Sequence, residues 1–239
     1  MKNYVIVGGS RGIGAAATQH LVDAGHRVIA ISRTPARAGT WVAADIATEA
    51  GLRCAVDAIT AQLNQQGEET PLDGLLFLGG VWEAGAFTGD YDFLASPAQE
   101  TRFLLAVNLA APILLAQALV TPLSRAENPK IILNGSCTGL PNEASIEVAN
   151  TATKFGQQGI TEALNLALNA LGISVTVVNF ANVATPEVLD DIATGAFGKQ
   201  VPIPLQDLLI TYDYLLQLSA DTVPQSLDLR QKYPDSQMR

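Results

Sequence analysis

The chemistry of this chain is most legible in its first seventeen residues. Gly8, Gly12 and Gly14 follow the run Tyr4-Val5-Ile6-Val7 and precede Ala15-Ala16-Ala17. The apolar run reads as a buried parallel strand and the alanines as the opening of a helix. Strand, glycine turn and helix in that order make a dinucleotide site. Gly8 lets the chain turn, Gly12 lets the backbone close on a pyrophosphate, and Gly14 lets the helix pack on the strand. The N–H groups of the helix start then meet the phosphate charge. Ser10, Arg11 and Ile13 complete the expected cofactor loop. A second strand, Arg27-Val28-Ile29-Ala30-Ile31, ends in Ser32-Arg33. An acid at that place holds the ribose hydroxyls of NAD, whereas a cation accommodates the extra phosphate of NADP. No acid stands there, and Arg11 adds a second guanidinium fork, so NADP(H) is the expected cofactor.

These residues need elements to hold them. Apolar runs at 41–44, 72–78, 130–133, 173–178 and 226–229 read as further strands. Leu52, Val56, Ile59 and Leu63 form one helical face, and helices are expected at 98–123 (with Pro112 inside), 147–171 and 205–218. The alternation predicts an α/β fold with a doubly wound parallel sheet of about seven strands, a Rossmann-like three-layer α/β/α single domain over 1–239. Residues 67–71 read as loop and 81–97 as an irregular segment containing Trp82, Glu83, Phe87 and Tyr91. Residues 186–204 read as a substrate-covering loop, and 230–239 as a fraying end. Ser136 stands just past the strand at 130–133, where open α/β sheets bind ligands. Cys137 beside it has no histidine near in sequence, so a Cys–His nucleophile is not expected.

Composition narrows the partners. With 239 residues, 48% apolar and 15% charged, the chain can bury a large core. A net charge of −9 opposes a nucleic-acid backbone or an anionic membrane as partner. Arg102, Asn108 and Pro112 interrupt the longest apolar run, so no membrane span is expected. The N-terminus runs straight into a strand, which leaves no room for a signal peptide. Two cysteines, Cys54 and Cys137, give no disulfide framework, in keeping with a cytoplasmic location. No metal site is expected.

The spacing Gly8-x-x-x-Gly12-x-Gly14 resembles the cofactor loop of the short-chain dehydrogenase/reductase family, and the resemblance runs along nearly the whole chain. Asp45-Ile46-Ala47 is similar to the family's Asp-Val/Ile-x pattern, which implies that Asp45 and Ile46 contact the adenine. Phe77-Leu78-Gly79-Gly80 aligns with Asn-Asn-Ala-Gly and keeps only Gly80. Val107-Asn108-Leu109 resembles the catalytic Asn motif, which implies a held water and a local helix kink. Asn134-Gly135-Ser136-Cys137-Thr138-Gly139 resembles the catalytic Ser segment. Asn150-Thr151-Ala152-Thr153-Lys154-Phe155-Gly156 resembles Tyr-Ser-Ala-Thr-Lys-Phe-Gly, with Asn150 in the Tyr place and Lys154 kept, four apart on one helix face. Thr185 is kept from the later Pro-Gly-x-x-x-Thr.

The resemblance implies an NADP(H)-dependent oxidoreductase acting on a carbonyl or hydroxyl of a small molecule. Its catalytic set is Asn108, Ser136, Asn150 and Lys154, with Gly80, Lys154 and Thr185 on the cofactor. Asn150 has no titratable proton, so the proton donor is expected to be atypical: water, Ser136, the substrate or Glu147. The plainer reading of Glu147 is a solvated first-turn charge. Two other readings use the same pocket: a cofactor-binding sensor or subunit without redox turnover, and a non-redox isomerase or lyase. The family also implies a homodimer or homotetramer through the helices carrying Asn108 and Lys154. Gly156 and Gly159 would permit close approach, and Ala110, Leu114 and Ala118 would give an apolar face.

Overall fold

Strand β1 (Asn3–Val7) is covered on both sides: Val5 and Val7 face one apolar cluster, Tyr4 and Ile6 the other. Burial on two faces is why the strands read as unbroken apolar runs. A computed structural model describes residues 1–65 and 69–232. Its sheet adds β2 (Arg27–Ser32), β3 (Thr40–Ala43), β4 (Gly74–Phe77), β5 (Lys130–Asn134), β6 (Ser174–Phe180) and β7 (Ser226–Leu229). All seven run parallel in the order β3-β2-β1-β4-β5-β6-β7. Helices α2 (Glu49–Asn64), α4 (Ala111–Ala118) and α6 (Val148–Leu168) cover one face. Helices α1 (Gly12–Asp23) and α8 (Leu205–Gln217) cover the other. The expected doubly wound α/β sheet is therefore present. Its order reverses between β1 and β4, and such a reversal opens a crevice at the strands' carboxyl ends.

The helix expected over 98–123 is broken. α3 (Ala98–Leu105) passes into a π-helical turn, Ala106–Ala110, before α4, and α5 (Val120–Ser124) restarts after Leu119. Pro112 has no N–H to give to the carbonyl four residues back, which is that of Asn108. Gln157 Nε2 donates to that carbonyl instead, at 3.2 Å. Contrary to the sequence expectation, Ala98–Ala118 is long and apolar enough to cross a membrane by length and composition. Here Leu104, Ala111, Leu115 and Ala116 of this stretch are wholly buried within the protein.

Helix α6 ends in a 3-10 turn, Asn169–Leu171, closed by Gly172 in the left-handed region. The stretch 186–204 is not all loop, since α7 (Pro186–Thr194) occupies its first half and a Val183–Ile203 bridge closes its base. Of the expected loop at 67–71, Gly67 and Glu68 lie outside the described residues, as do 233–239 of the fraying end.

Candidate functional site

Gly8 follows β1 with φ +90°, and a Cβ placed on it would lie 2.4 Å from Gly79 Cα, just past β4. A Cβ on Gly14 would lie 2.1 Å from the Gly8 carbonyl oxygen. Both contacts are backbone on backbone and cannot yield, so any side chain would force the turn open. Gly12, at φ +52°, is the opposite case: a Cβ there would reach only Glu187 Oε2 at 3.7 Å and Thr185 Cγ2 at 3.8 Å. The turn is thus closed beneath and open above, at the start of α1, where a pyrophosphate fits. Arg11 stands at the N-cap position of α1, makes no side-chain capping bond and is exposed. Ser10 Oγ accepts a bond from Thr34 Oγ1 at 3.0 Å, and Ile13 packs into the core beneath.

At the end of β2, Arg33 is exposed and its guanidinium carbon stands 5.9 Å from the ring centroid of Phe103 on α3. Asp45 Oδ1 accepts the Ala47 N–H at 3.1 Å, turning the chain into α2, while Ile46 packs against the core. Across the crevice, Thr185 caps α7, with Oγ1 accepting the Val188 N–H at 3.4 Å. The carboxylate of Glu187, one residue into α7, faces the open side of Gly12; sequence reasoning did not single it out.

Three of the four expected catalytic residues, Asn108, Ser136 and Lys154, gather at the ends of β4 and β5. Asn108, 1% exposed, clamps the chain after β4. Its Oδ1 accepts the Val81 N–H at 3.1 Å, and its Nδ2 donates to Val81 O at 2.7 Å and to Thr153 Oγ1 at 3.2 Å. The π-helical turn around it is the kink that the resemblance implied. Lys154 Nζ donates to Asn134 O, the last residue of β5, at 3.0 Å and to Gln157 Oε1 at 3.4 Å. Burial pushes its pKa down to about 8. A Cβ on Gly80 would stand 3.8 Å from both Asn108 Oδ1 and Lys154 Nζ, so these three line one space. Ser136 Oγ accepts from Thr138 N–H at 3.2 Å and from Thr138 Oγ1 at 3.0 Å, which leaves its own proton to donate outward. The end of β5 is itself locked: Asn134 Nδ2 donates to Leu78 O at 3.2 Å and its Oδ1 accepts Tyr212 OH at 2.6 Å. Burial pushes the Tyr212 phenol well above its usual range.

Asn150 is 2% exposed. Its N–H donates to Glu83 Oε1 at 3.0 Å and its carbonyl accepts Thr153 Oγ1 at 2.8 Å. Among the described residues its side-chain amide has no hydrogen-bond partner. The same Glu83 oxygen accepts the Ala149 N–H at 2.8 Å, so a carboxylate 66 residues away in sequence closes the first turn of α6. Glu147 corrects a sequence expectation. It is 2% exposed, not solvated, and its Oε1 accepts the Phe87 N–H at 2.8 Å. That bond holds Phe87 in the left-handed region, at φ +63°. Burial pushes the Glu147 carboxyl up, but hydrogen bonds from Ser145, from Phe87 N–H and from its own N–H outweigh this and hold it below its usual value. Tyr91 OH accepts the Val148 N–H at 3.3 Å. These long-range contacts onto α6 left no periodic trace in the sequence. The cue to be had was two acids in and after a segment rich in aromatics.

On the face away from the crevice, Gly156 serves its own chain, since a Cβ there would lie 2.7 Å from Leu109 Cδ2. Gly159 faces open space, and the stripe Ala110, Leu114, Ala118 is exposed, Leu114 at 45%.

The family model for short chain dehydrogenase matches residues 2–193. The chain belongs to that family. It is 28% identical over 223 residues to a 3-alpha-(or 20-beta)-hydroxysteroid dehydrogenase of Mycobacterium bovis, covering 87% of this chain and 81% of the relative. A metagenomic short-chain oxidoreductase solved in complex with NADP superposes with a TM-score of 0.76 at 21% identity, over 97% of both chains. A 4-hydroxyisoleucine dehydrogenase complexed with NADH superposes with a TM-score of 0.74 at 18% identity, again over 97% of both. The fold is thus shared by proteins that hold either nicotinamide cofactor.

Proposed function

We propose that this protein is an NADP(H)-dependent oxidoreductase that interconverts a carbonyl and a hydroxyl on a small molecule. The observation that carries the reading is one crevice between β1 and β4. It joins a glycine turn open above Gly12 to a space lined by Gly80, Asn108 and Lys154, with Ser136 at the neighbouring strand end. Gly8, Ser10, Arg11, Gly12, Ile13 and Gly14 would hold the pyrophosphate, Asp45 and Ile46 the adenine, and Gly80, Lys154 and Thr185 the nicotinamide half. A bound reduced nicotinamide supplies a hydride. The chain supplies the rest: Ser136 Oγ donates to the substrate oxygen, the Asn150 amide orients it, and Asn108 fixes the strand end beneath. With an amide at position 150 the proton must come from another group.

Preference for NADP(H) rests on Arg11 and Arg33, both exposed at the crevice rim with no acid at the end of β2. The hydroxysteroid dehydrogenase relative supports an apolar substrate, as do Trp82 and Phe87, both exposed with ring centroids 6.2 Å apart in the segment that folds onto α6. The uncovered stripe on α4 supports a homodimer or homotetramer, and the proposal keeps a single domain and a cytoplasmic location, the latter on the two unpaired cysteines of the sequence. Calorimetric titration with NADPH and NADH, followed by absorbance assays on a carbonyl panel, tests the proposal. NADPH is expected to bind at least about tenfold tighter than NADH. Equal affinities would remove the NADP preference. NADPH binding with no turnover on any carbonyl would favour the second reading, a cofactor-binding protein without redox chemistry, which the amide at position 150 supports.

A further inference from the structure

We infer that Lys154 is the acid that protonates the substrate oxygen, acting through one bridging water held against the Asn150 amide. This rests on the oxidoreductase reading above. An ammonium has three N–H groups. Lys154 spends two, on Asn134 O and Gln157 Oε1. The space above Gly80 lies within reach of the third, since a Cβ there would be 3.8 Å from Nζ. Asn150 stands one helical turn earlier on the same face, buried and, among the described residues, with its side-chain amide unspent. It leaves a gap that a water spans between Nζ and a substrate oxygen.

Other titratable groups lie nearby. Glu83 and Glu147, at the start of α6, each give one oxygen to the N–H groups of Ala149, Asn150 and Phe87 and keep the second buried without a hydrogen-bond partner among the described residues. Tyr91 OH sits against the Val148 N–H. Cys137 Sγ turns to Leu229 O, and burial pushes its thiol up. Around Nζ itself, β5 presents Asn134, the segment after β4 presents Gly80, the π-helical turn presents Asn108, and α6 presents Gln157, with Asn150 one helical turn earlier. None is a carboxylate, so burial alone shifts the ammonium, down to about 8. A general acid works best with its pKa near the operating pH.

In the step, a Lys154 N–H bond breaks as an O–H bond forms on the water, and the water passes its other proton to the substrate oxygen. The carbonyl carbon takes the hydride of the reduced nicotinamide, and its π pair moves to that oxygen. An alcohol, an oxidised nicotinamide and a neutral lysine result, and the lysine regains its proton from solvent.

The test has two arms. Carbon-13 NMR of Cε-labelled lysine in the cofactor-free protein should show Lys154 titrating near 8, as assigned by the signal lost in Lys154→Arg. Turnover of NADPH with 9,10-phenanthrenequinone should fall about tenfold per pH unit above the pKa of this acid. Lys154→Arg keeps the charge and should keep NADPH affinity within about threefold while lowering kcat about a hundredfold and removing the alkaline limb. If Lys154→Arg loses NADPH, Lys154→Ala at saturating NADPH with added primary amines decides. Rescue that follows the amine's pKa supports the role, and no rescue overturns it. An alkaline limb that survives Lys154→Arg overturns it, as does one removed instead by Tyr91→Phe or Glu147→Gln, or a Lys154 that titrates with ordinary lysines. No turnover by the wild type with NADPH bound overturns the oxidoreductase reading, and the proton role falls with it. Turnover indifferent to Lys154 overturns the proton role alone.

Discussion

Glu83→Ala is expected to unfasten the first turn of α6 and cost the protein a large share of its stability. Glu83 is 3% exposed, and one of its oxygens takes the N–H groups of Ala149 and Asn150 at 2.8 and 3.0 Å. Those residues are 8% and 2% exposed, so water does not readily replace the carboxylate. Each buried N–H left unpaired costs about 1–3 kcal/mol. Two of them give about 2–6 kcal/mol, against a total stability of about 5–15 kcal/mol for a typical domain. At about 2–4 °C per kcal/mol for a chain of this size, Tm should fall by about 4–24 °C. Glu83→Gln keeps an acceptor for the same donors and loses only the charge at the helix start, about 1 kcal/mol. Urea unfolding of the three proteins, with NADPH affinity measured alongside, checks this. Lys154 lies a full turn further along α6, so the affinity of folded Glu83→Ala should change less than its stability. A Glu83→Ala protein within about 0.5 kcal/mol of the wild type, or one no weaker than Glu83→Gln, would refute the argument that this carboxylate closes the helix.

Gly14→Ala should abolish measurable NADPH binding and cost about 1–3 kcal/mol, because its methyl group would meet the Gly8 carbonyl; titration and thermal melts report both. Glu187→Gln should tighten NADPH binding a few-fold at low salt and less at high salt, since it removes a negative charge facing Gly12; unchanged affinity would show that this carboxylate turns away from the phosphates. Glu147, held below its usual 4.5, contributes stability that is present above that pH and lost as pH falls through its folded value. Glu147→Gln should therefore flatten the acid-side fall in stability below about 4.5, read from melts across pH. Asn150→Tyr should raise carbonyl reduction if the segment around Glu83 makes room for a phenol beside Lys154; no gain with NADPH still bound would show that the pocket is built around the amide.

Local chemistry fixed what the chain itself could announce. The run Tyr4-Val5-Ile6-Val7 could only be a strand buried on both faces, and Gly8, Gly12 and Gly14 could only matter where backbone meets backbone or phosphate. The alternation of strand and helix signals then left a doubly wound sheet as the economical fold. Lys154 and Asn150, four apart, were bound to share a helix face. What the sequence could not carry was anything decided between segments distant along the chain. Ala98–Leu105, Ala111–Ala118 and Val120–Ser124 read as one helix, because a periodicity of 3.6 does not record the turn where Asn108 is clamped to Val81 and Pro112 withholds its N–H. Glu147 looked solvated because a first-turn acid ordinarily is, until Phe87 was brought against it. Glu83 had no local reason to matter at all. Its place on the N–H groups of Ala149 and Asn150, like that of Glu187 across from Gly12, exists only because the sheet brings the ends of β1, β4, β5 and β6 to one edge. Segments that leave that edge must satisfy one another's buried polar groups there, and pairings across such distances are set by tertiary packing, not by local pattern.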